Sequence, residues 1–214
     1  MFLGVSILLL DMFGSPGYLA VLVSHMLKNL SFTTNGATPS SHQKLRSRIT
    51  ENASNVERIR VTGWDAVKFG VAEASTYSKV LLVAPSSDEK VTFTDEKLLK
   101  KWTDKVTRQN AKKQLLNLIS ALSAATPGGT GDFEKKTRKC KNFEYFFSVF
   151  YVTKSMSPFE NDEVVEKALK KSRTEPVAIK VSSKIGRSTK YGIQILPHEA
   201  PFGPLYVSKL KIQE

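Results

Sequence analysis

The sequence has a single cysteine, Cys140, so no disulfide can close within the chain, and a small secreted fold stapled by disulfides is excluded. Its three histidines, His25, His42 and His198, are scattered and offer no zinc-ligand spacing. No metal site is expected. No Lys or Arg precedes Lys28, so the apolar opening over residues 1–10 lacks the basic flank of a signal peptide. Asp11 and the turn-forming Gly14-Ser15-Pro16-Gly17 part it from a second apolar stretch, Tyr18 to Leu27. Neither piece reaches the about 20 uninterrupted apolar residues of a spanning helix. The pattern predicts a buried strand, a turn and a helix over about 15–30, with an uncleaved signal or membrane-inserted hairpin as the rival.

Signatures of catalysis are also missing. Pro127-Gly128-Gly129-Thr130-Gly131 lacks the Gly-Lys-Ser/Thr ending of a phosphate-cradling loop and follows a helical pattern where that motif follows a strand. Gly14-Ser15-Pro16-Gly17 does not match the nucleophile elbow of hydrolases. No Ser/His/Asp set stands out by order or spacing. No catalytic residue and no cofactor are expected on these grounds.

Positive charge is what the sequence has in excess. Its 214 residues carry a net charge of +12, a surplus that speaks to partners and not to fold. Residues 95–141 hold twelve Lys/Arg against five Asp/Glu, more than half of the surplus in one stretch. Lys97, Lys101, Lys105, Arg108 and Lys112 follow steps of four, four, three and four. On one continuous helix they would share an arc of about 80°, a ridge suited to successive phosphates. The alternative is a solvated helix face. Lys135, Lys136, Arg138, Lys139 and Lys141 form a second cluster after the Pro/Gly loop. Lys184, Arg187 and Lys190 would sit on the tip of a C-terminal hairpin.

Thr33 to Ser41 is rich in Thr, Ser, Asn, Gly and Pro and reads as a linker or exposed loop. The expected organisation is therefore an apolar strand/helix segment over 1–32, a linker over 33–43 and a basic domain over 44–214. Lys79 to Ala84 reads as a buried strand and Lys90 to Phe93 as a short one. From Thr94-Asp95-Glu96 a helical pattern continues to about Ala125, but its apolar stripe rotates near Thr107–Lys113, which calls for a bend or for two helices. Asn142 to Thr153 carries six aromatics and reads as a strand; Phe143, Tyr145 and Phe147 on one side raise base stacking as a use. Ser157-Pro158-Phe159-Glu160 matches a capping box. Over Asn142 to Leu169 the chain resembles a segment of rhabdovirus matrix proteins, too short a stretch for anything to be carried over.

The fold expected is α+β, with an antiparallel sheet toward the C-terminal end packed with a long, bent helix over about 95–125 and a shorter helix over about 158–171. The function expected is that of a non-enzymatic structural protein in a viral or ribosomal nucleoprotein assembly, meeting RNA, or less readily DNA, through its basic patches. Its other partners would be further subunits of that assembly. The alternatives are a peripheral membrane or matrix-type protein on acidic lipid, and an enzyme with an unrecognised site. One unpaired cysteine suits an intracellular, reducing compartment or a virion.

Overall fold

In the computed structural model the chain is described over residues 8–26, 31–127 and 148–213. Successive apolar segments form parallel strands, each returned by a helix. β1 (Leu8–Asp11) leads through α1 (Tyr18–Met26) to β2 (Ser31–Asn35), and α2 (Pro39–Asn52) leads to β3 (Ile59–Thr62). After the single-turn α3 (Phe69–Ala72) comes β4 (Lys79–Val83). Three helices follow, α4 (Glu89–Thr94), α5 (Glu96–Leu99) and the 21-residue α6 (Asp104–Ala124), before β5 (Ser148–Thr153). Helix α7 (Asp162–Lys171), β6 (Pro176–Ile179), β7 (Arg187–Ser188), β8 (Ile193–Ile195) and β9 (Leu205–Ile212) complete the order.

The strands make one sheet ordered β3-β2-β1-β4-β5-β9-β8-β7, and the first five are all parallel. Antiparallel pairing is confined to β9 and the short strands near it: β9 lies against β5 on one side and against β8 and β6 on the other. Side chains alternate across β1. Leu9 packs with Ala20, Phe32, Leu45 and Ile49 beneath α1 and α2, while Leu10 joins Val80, Leu82, Val149 and Tyr151 beneath α6 and α7. Packing against both faces of a parallel sheet is why Leu8-Leu9-Leu10 reads as continuous apolar sequence.

This doubly wound α/β architecture overturns the α+β expectation of a small antiparallel sheet packed on a long bent helix. The reason is that β1 pairs with β2 and β4, strands far apart in sequence, and no local pattern reports such pairing. Within the 95–125 stretch the helix does not bend near 107–113. It is interrupted earlier, at Lys100–Thr103, where the Thr103 hydroxyl accepts from the Val106 N–H and caps α6 anew. Leu98 and Leu99 therefore belong to a separate helix and Trp102 to the connection after it, which is why the stripe rotates. Lys90 to Phe93 is helical, not a strand. Ser157 to Glu160 forms a turn, and α7 begins at Asp162 behind Asn161. Residues 33–43 hold the buried Thr33, Thr34 and Asn35 of β2 and the capped start of α2. Among the described residues no helix is long and apolar enough to cross a membrane.

Leu118 of α6 is fully buried between the helix and the sheet. Leu118→Ala should cost about 2–5 kcal/mol of unfolding free energy in urea denaturation; a loss below about 1 kcal/mol would mean that α6 is not fixed to the sheet as described.

Candidate functional site

The strand order places a switch point between β1 and β4: from β1 the chain winds outward to β2 and β3, then returns to wind the other way through β4 and β5. Loops at the carboxyl ends of β1 and β4 therefore separate, and a crevice opens between them. Two adjoining cavities occupy it, of about 450 and 540 Å³, sharing Phe13, Ala37 and Pro85. Both fall within the range of small-molecule sites.

Its floor is the β1–α1 turn. Gly14 is required there by close approach: a Cβ would run into the Thr34 hydroxyl and lie 2.9 Å from Asp11 Oδ2. Gly17, with φ of +102°, adopts a conformation that side chains disfavour. The Gly14 N–H donates to the Asn35 carbonyl at 2.9 Å, so the turn is tied to the end of β2. Asn35 itself is fully buried, and its side chain is saturated. Nδ2 donates to the carbonyls of Met12 (3.1 Å) and Trp64 (2.9 Å), and Oδ1 accepts from the Thr62 hydroxyl (2.9 Å) and the Trp64 N–H (2.8 Å). One amide thus fixes the ends of β1, β2 and β3. Burial lifts the Asp11 carboxyl to about 7, a shift that the Phe13 N–H only partly opposes.

Across the crevice stand the loops after β4 and β5. The Lys154 N–H donates to Ser86 Oγ at 3.0 Å, and Lys154 Nζ lies 3.4 Å from Asp88 Oδ2. Behind them, two buried carboxylates anchor the loops. Glu89 accepts from the Ser87 and Ser155 hydroxyls and from the Met156 N–H. Glu160 accepts from the Ser87 N–H (3.1 Å) and from Gln114 Nε2 (2.7 Å), while its Oε1 is buried without a protein partner. Burial raises the Glu160 carboxyl above the ordinary range. The first cavity is thus lined by hydroxyls (Ser15, Thr38, Ser41, Ser86) and one opposite-charge pair. The second pairs an apolar floor with the polar edges of Asp65, Asn110, Gln114 and Asn117.

None of the described basic residues singled out in the sequence lines either cavity. Lys105, Arg108 and Lys112 lie on α6, but Lys97 belongs to α5 and Lys101 follows it, so the five do not share one helix. Arg187 is paired with Glu199 and Lys190 with Glu166, and Lys184 is exposed. Lys135, Lys136, Arg138, Lys139, Lys141, Cys140 and the aromatic Phe143, Tyr145 and Phe147 lie outside the described residues. No metal-ligating group of three His, Cys, Asp or Glu occurs among the described residues. No crevice residue is among the site residues that the sequence predicts. The crevice's signal was an apolar strand ending on Asp11, a Gly-Ser-Pro-Gly turn and a helix, which is the opening of a βαβ unit.

Residues 6–211 match the family model described as 16S rRNA methyltransferase RsmB/F, and the chain belongs to that family. It is 26% identical over 221 residues to the 5-cytosine rRNA methyltransferase NSUN4 of Xenopus laevis, covering 94% of this chain and 50% of that one. It is 27% identical over 173 residues to the ribosomal RNA small subunit methyltransferase F of Erwinia tasmaniensis, covering 80% and 31%. Among solved structures, NSun6 from Pyrococcus horikoshii superposes with a TM-score of 0.73 at 18% identity, over 97% of this chain and 48% of that one, a likeness of fold. The chain spans about half the length of the vertebrate relatives it matches. Membership of an enzyme family overturns the non-enzymatic, structural and viral reading and the matrix-type alternative. Charge alone could not separate an RNA-modifying enzyme from an RNA-packaging protein, because both need cations facing phosphate.

Two measurements check this geometry. Asn35→Asp keeps the shape but loses both donors and faces two carbonyls with an acid; it should cost about 2 kcal/mol or more in urea unfolding, and an unchanged midpoint would refute the clamp. Asp11 is neutral in the folded state up to about 7, whereas in the unfolded chain it ionises near 3.9. The unfolded state therefore binds fewer protons between these values, and stability falls as pH rises from about 4 to 7. Asp11→Asn should flatten that decline in pH-dependent unfolding, and an identical slope would place the titration elsewhere.

Proposed function

We propose that the chain acts as an S-adenosylmethionine-dependent methyltransferase on RNA, with a ribosomal RNA cytosine as target and the crevice between β1 and β4 as the cofactor site. The observation that carries this reading is the pair of joined cavities at the switch point, in a chain that matches the family over nearly its whole length. A nucleoside joined to an amino acid needs an elongated, two-part site of this kind.

The residues present suit such a ligand. A glycine turn brings backbone, not side chain, against it, and Phe13 and Pro85 offer apolar surface for a flat ring. Asp65 and Asn117 offer hydrogen-bond partners to a nucleobase edge. One departure stands out. Dinucleotide sites of this architecture carry an acid about 20 residues past the glycine turn to meet the ribose, and here that region reads Thr34-Asn35-Gly36-Ala37. Asn35 is already saturated, and the Thr38 and Ser41 hydroxyls, both on the crevice, are bonded to each other in the cap of α2, so a sugar that reaches them competes with that cap. When bound, the cofactor supplies an electrophilic methyl group. The chain's part is to hold it, to keep water from it and to admit the target nucleotide past Asp88 and Lys154. No cysteine occurs among the described residues.

For the RNA we assign phosphate contacts to Lys105 and Lys112 of α6, with Lys97 of α5 and Lys101 after it as further cations. Gln114 bonds to the Pro85 carbonyl at 2.9 Å, level with the end of β4. The ten residues before it therefore carry α6 about 15 Å past the sheet edge, where their cations face whatever approaches the crevice.

Equilibrium dialysis with labelled S-adenosylmethionine should show binding, and the label should pass to ribosomal RNA. Ala37→Phe, at the junction of the cavities, should weaken cofactor binding by about tenfold or more with an unchanged melting temperature. A wild-type chain that binds no cofactor, or a variant that binds it equally, would overturn the assignment.

A further inference from the structure

Arg108 does more in this structure than add charge. Its guanidinium carbon lies 3.7 Å from the centroid of the Phe159 ring, and its side chain is exposed. Among the described residues no carboxylate forms an ion pair with it, whereas Arg60 and Arg187 are each paired with an acid. The two residues line a groove of about 170 Å³ between α6 and α7, with Lys112 at its rim and Ala111 and Leu115 below. Glu163, also in the groove, is neutralised by Lys167 at 2.9 Å.

We infer that this groove is a stacking platform for one unpaired base of the RNA, with the guanidinium laid on Phe159 and its outer face turned to the base. An exposed guanidinium plane over an aromatic ring is a surface on which unpaired RNA bases stack, and its free N–H groups point outward in the same plane to reach the neighbouring phosphate. The groove's size suits a single flat ring and not a folded segment. Its net charge suits an anion. Its mounting is rigid, because Phe159 precedes Glu160, which is fixed to Ser87 and Gln114. Gln114 also lines the crevice, and the crevice residues Asn110, Lys113, Gln114 and Asn117 lie on the side of α6 opposite to Arg108, Ala111, Lys112 and Leu115, so groove and crevice are about one helix diameter or 10 Å apart across it. A nucleotide next to the target could span that distance. The inference rests on the RNA reading above, but it specifies a different site and a different interaction.

The test uses the whole chain and a short single-stranded RNA carrying one 2-aminopurine, followed by fluorescence quenching and anisotropy. The base should be quenched on binding. Arg108→Lys keeps the charge and Phe159→Leu keeps the bulk; each should abolish the quenching and weaken binding by about tenfold, the value of one stacked base. Arg108→Lys should leave the salt dependence as it is, whereas Lys105→Met should lower its slope by roughly 0.7. Dialysis of S-adenosylmethionine on the same variants should match wild type. If Arg108→Lys or Phe159→Leu binds and quenches like wild type, the platform is refuted, even where cofactor binding upholds the methyltransferase reading. Failure of that reading would appear instead as a wild-type chain without cofactor binding.

Discussion

One amide holds the working end of this fold together. Parallel strands end in loops, and loops that line a crevice cannot also be packed in the core, so their positions must be set by something else. Asn35 sets them. With two donors and two acceptors all engaged on Met12, Thr62 and Trp64, its side chain locks the ends of β1, β2 and β3 into one frame. The glycine turn hangs from the same residue through its backbone carbonyl. A buried polar group is costly unless fully satisfied, and when fully satisfied it admits a single arrangement.

The opposite wall uses charge where the first uses an amide. Glu89 and Glu160 are buried without a cation beside them and are held by hydroxyls, backbone N–H groups and Gln114. Such an arrangement is expensive in isolation, and burial accordingly pushes the Glu160 carboxyl toward its neutral form. What it secures is register between two loops that make no sheet contact: Ser86 and Lys154 meet at the crevice because Ser87 and Ser155 share Glu89 behind it.

Much of this was legible as elements and little of it as architecture. The apolar run before Asp11, the Gly-Ser-Pro-Gly turn and the helix after it are all plain in the sequence, yet a strand does not announce whether its partners will be parallel. Thr33, Thr34 and Asn35 read as loop because polar, small residues usually do, while here tertiary contacts place them in a buried strand. Lys90 to Phe93 reads as strand on its Val, Thr and Phe, but it is helical, in a helix whose first residue, Glu89, is bonded into the buried network behind the crevice. The crevice was invisible for a different reason. Catalytic triads and phosphate loops advertise themselves in side chains, but a site built from a glycine turn, strand ends and apolar walls has no comparable signature. The rotated stripe near 107–113 was real, and its cause was a second cap at Thr103 and not a bend.

The position of β9 has a bearing on how the chain comes to be folded at all. Tyr206 and Leu210 are fully buried, and β9 pairs with β5 over Tyr206–Leu210. Until residues 205–212 have been synthesised, β5 has one unpaired edge and the core beneath α7 is open. A nascent chain in that condition presents hydrophobic surface and free backbone groups to its surroundings. Because so many pairings span long stretches of sequence, closure is slow as well as late. β9 therefore acts as a latch on the sheet, and until it pairs, the open edge of β5 is exposed to aggregation.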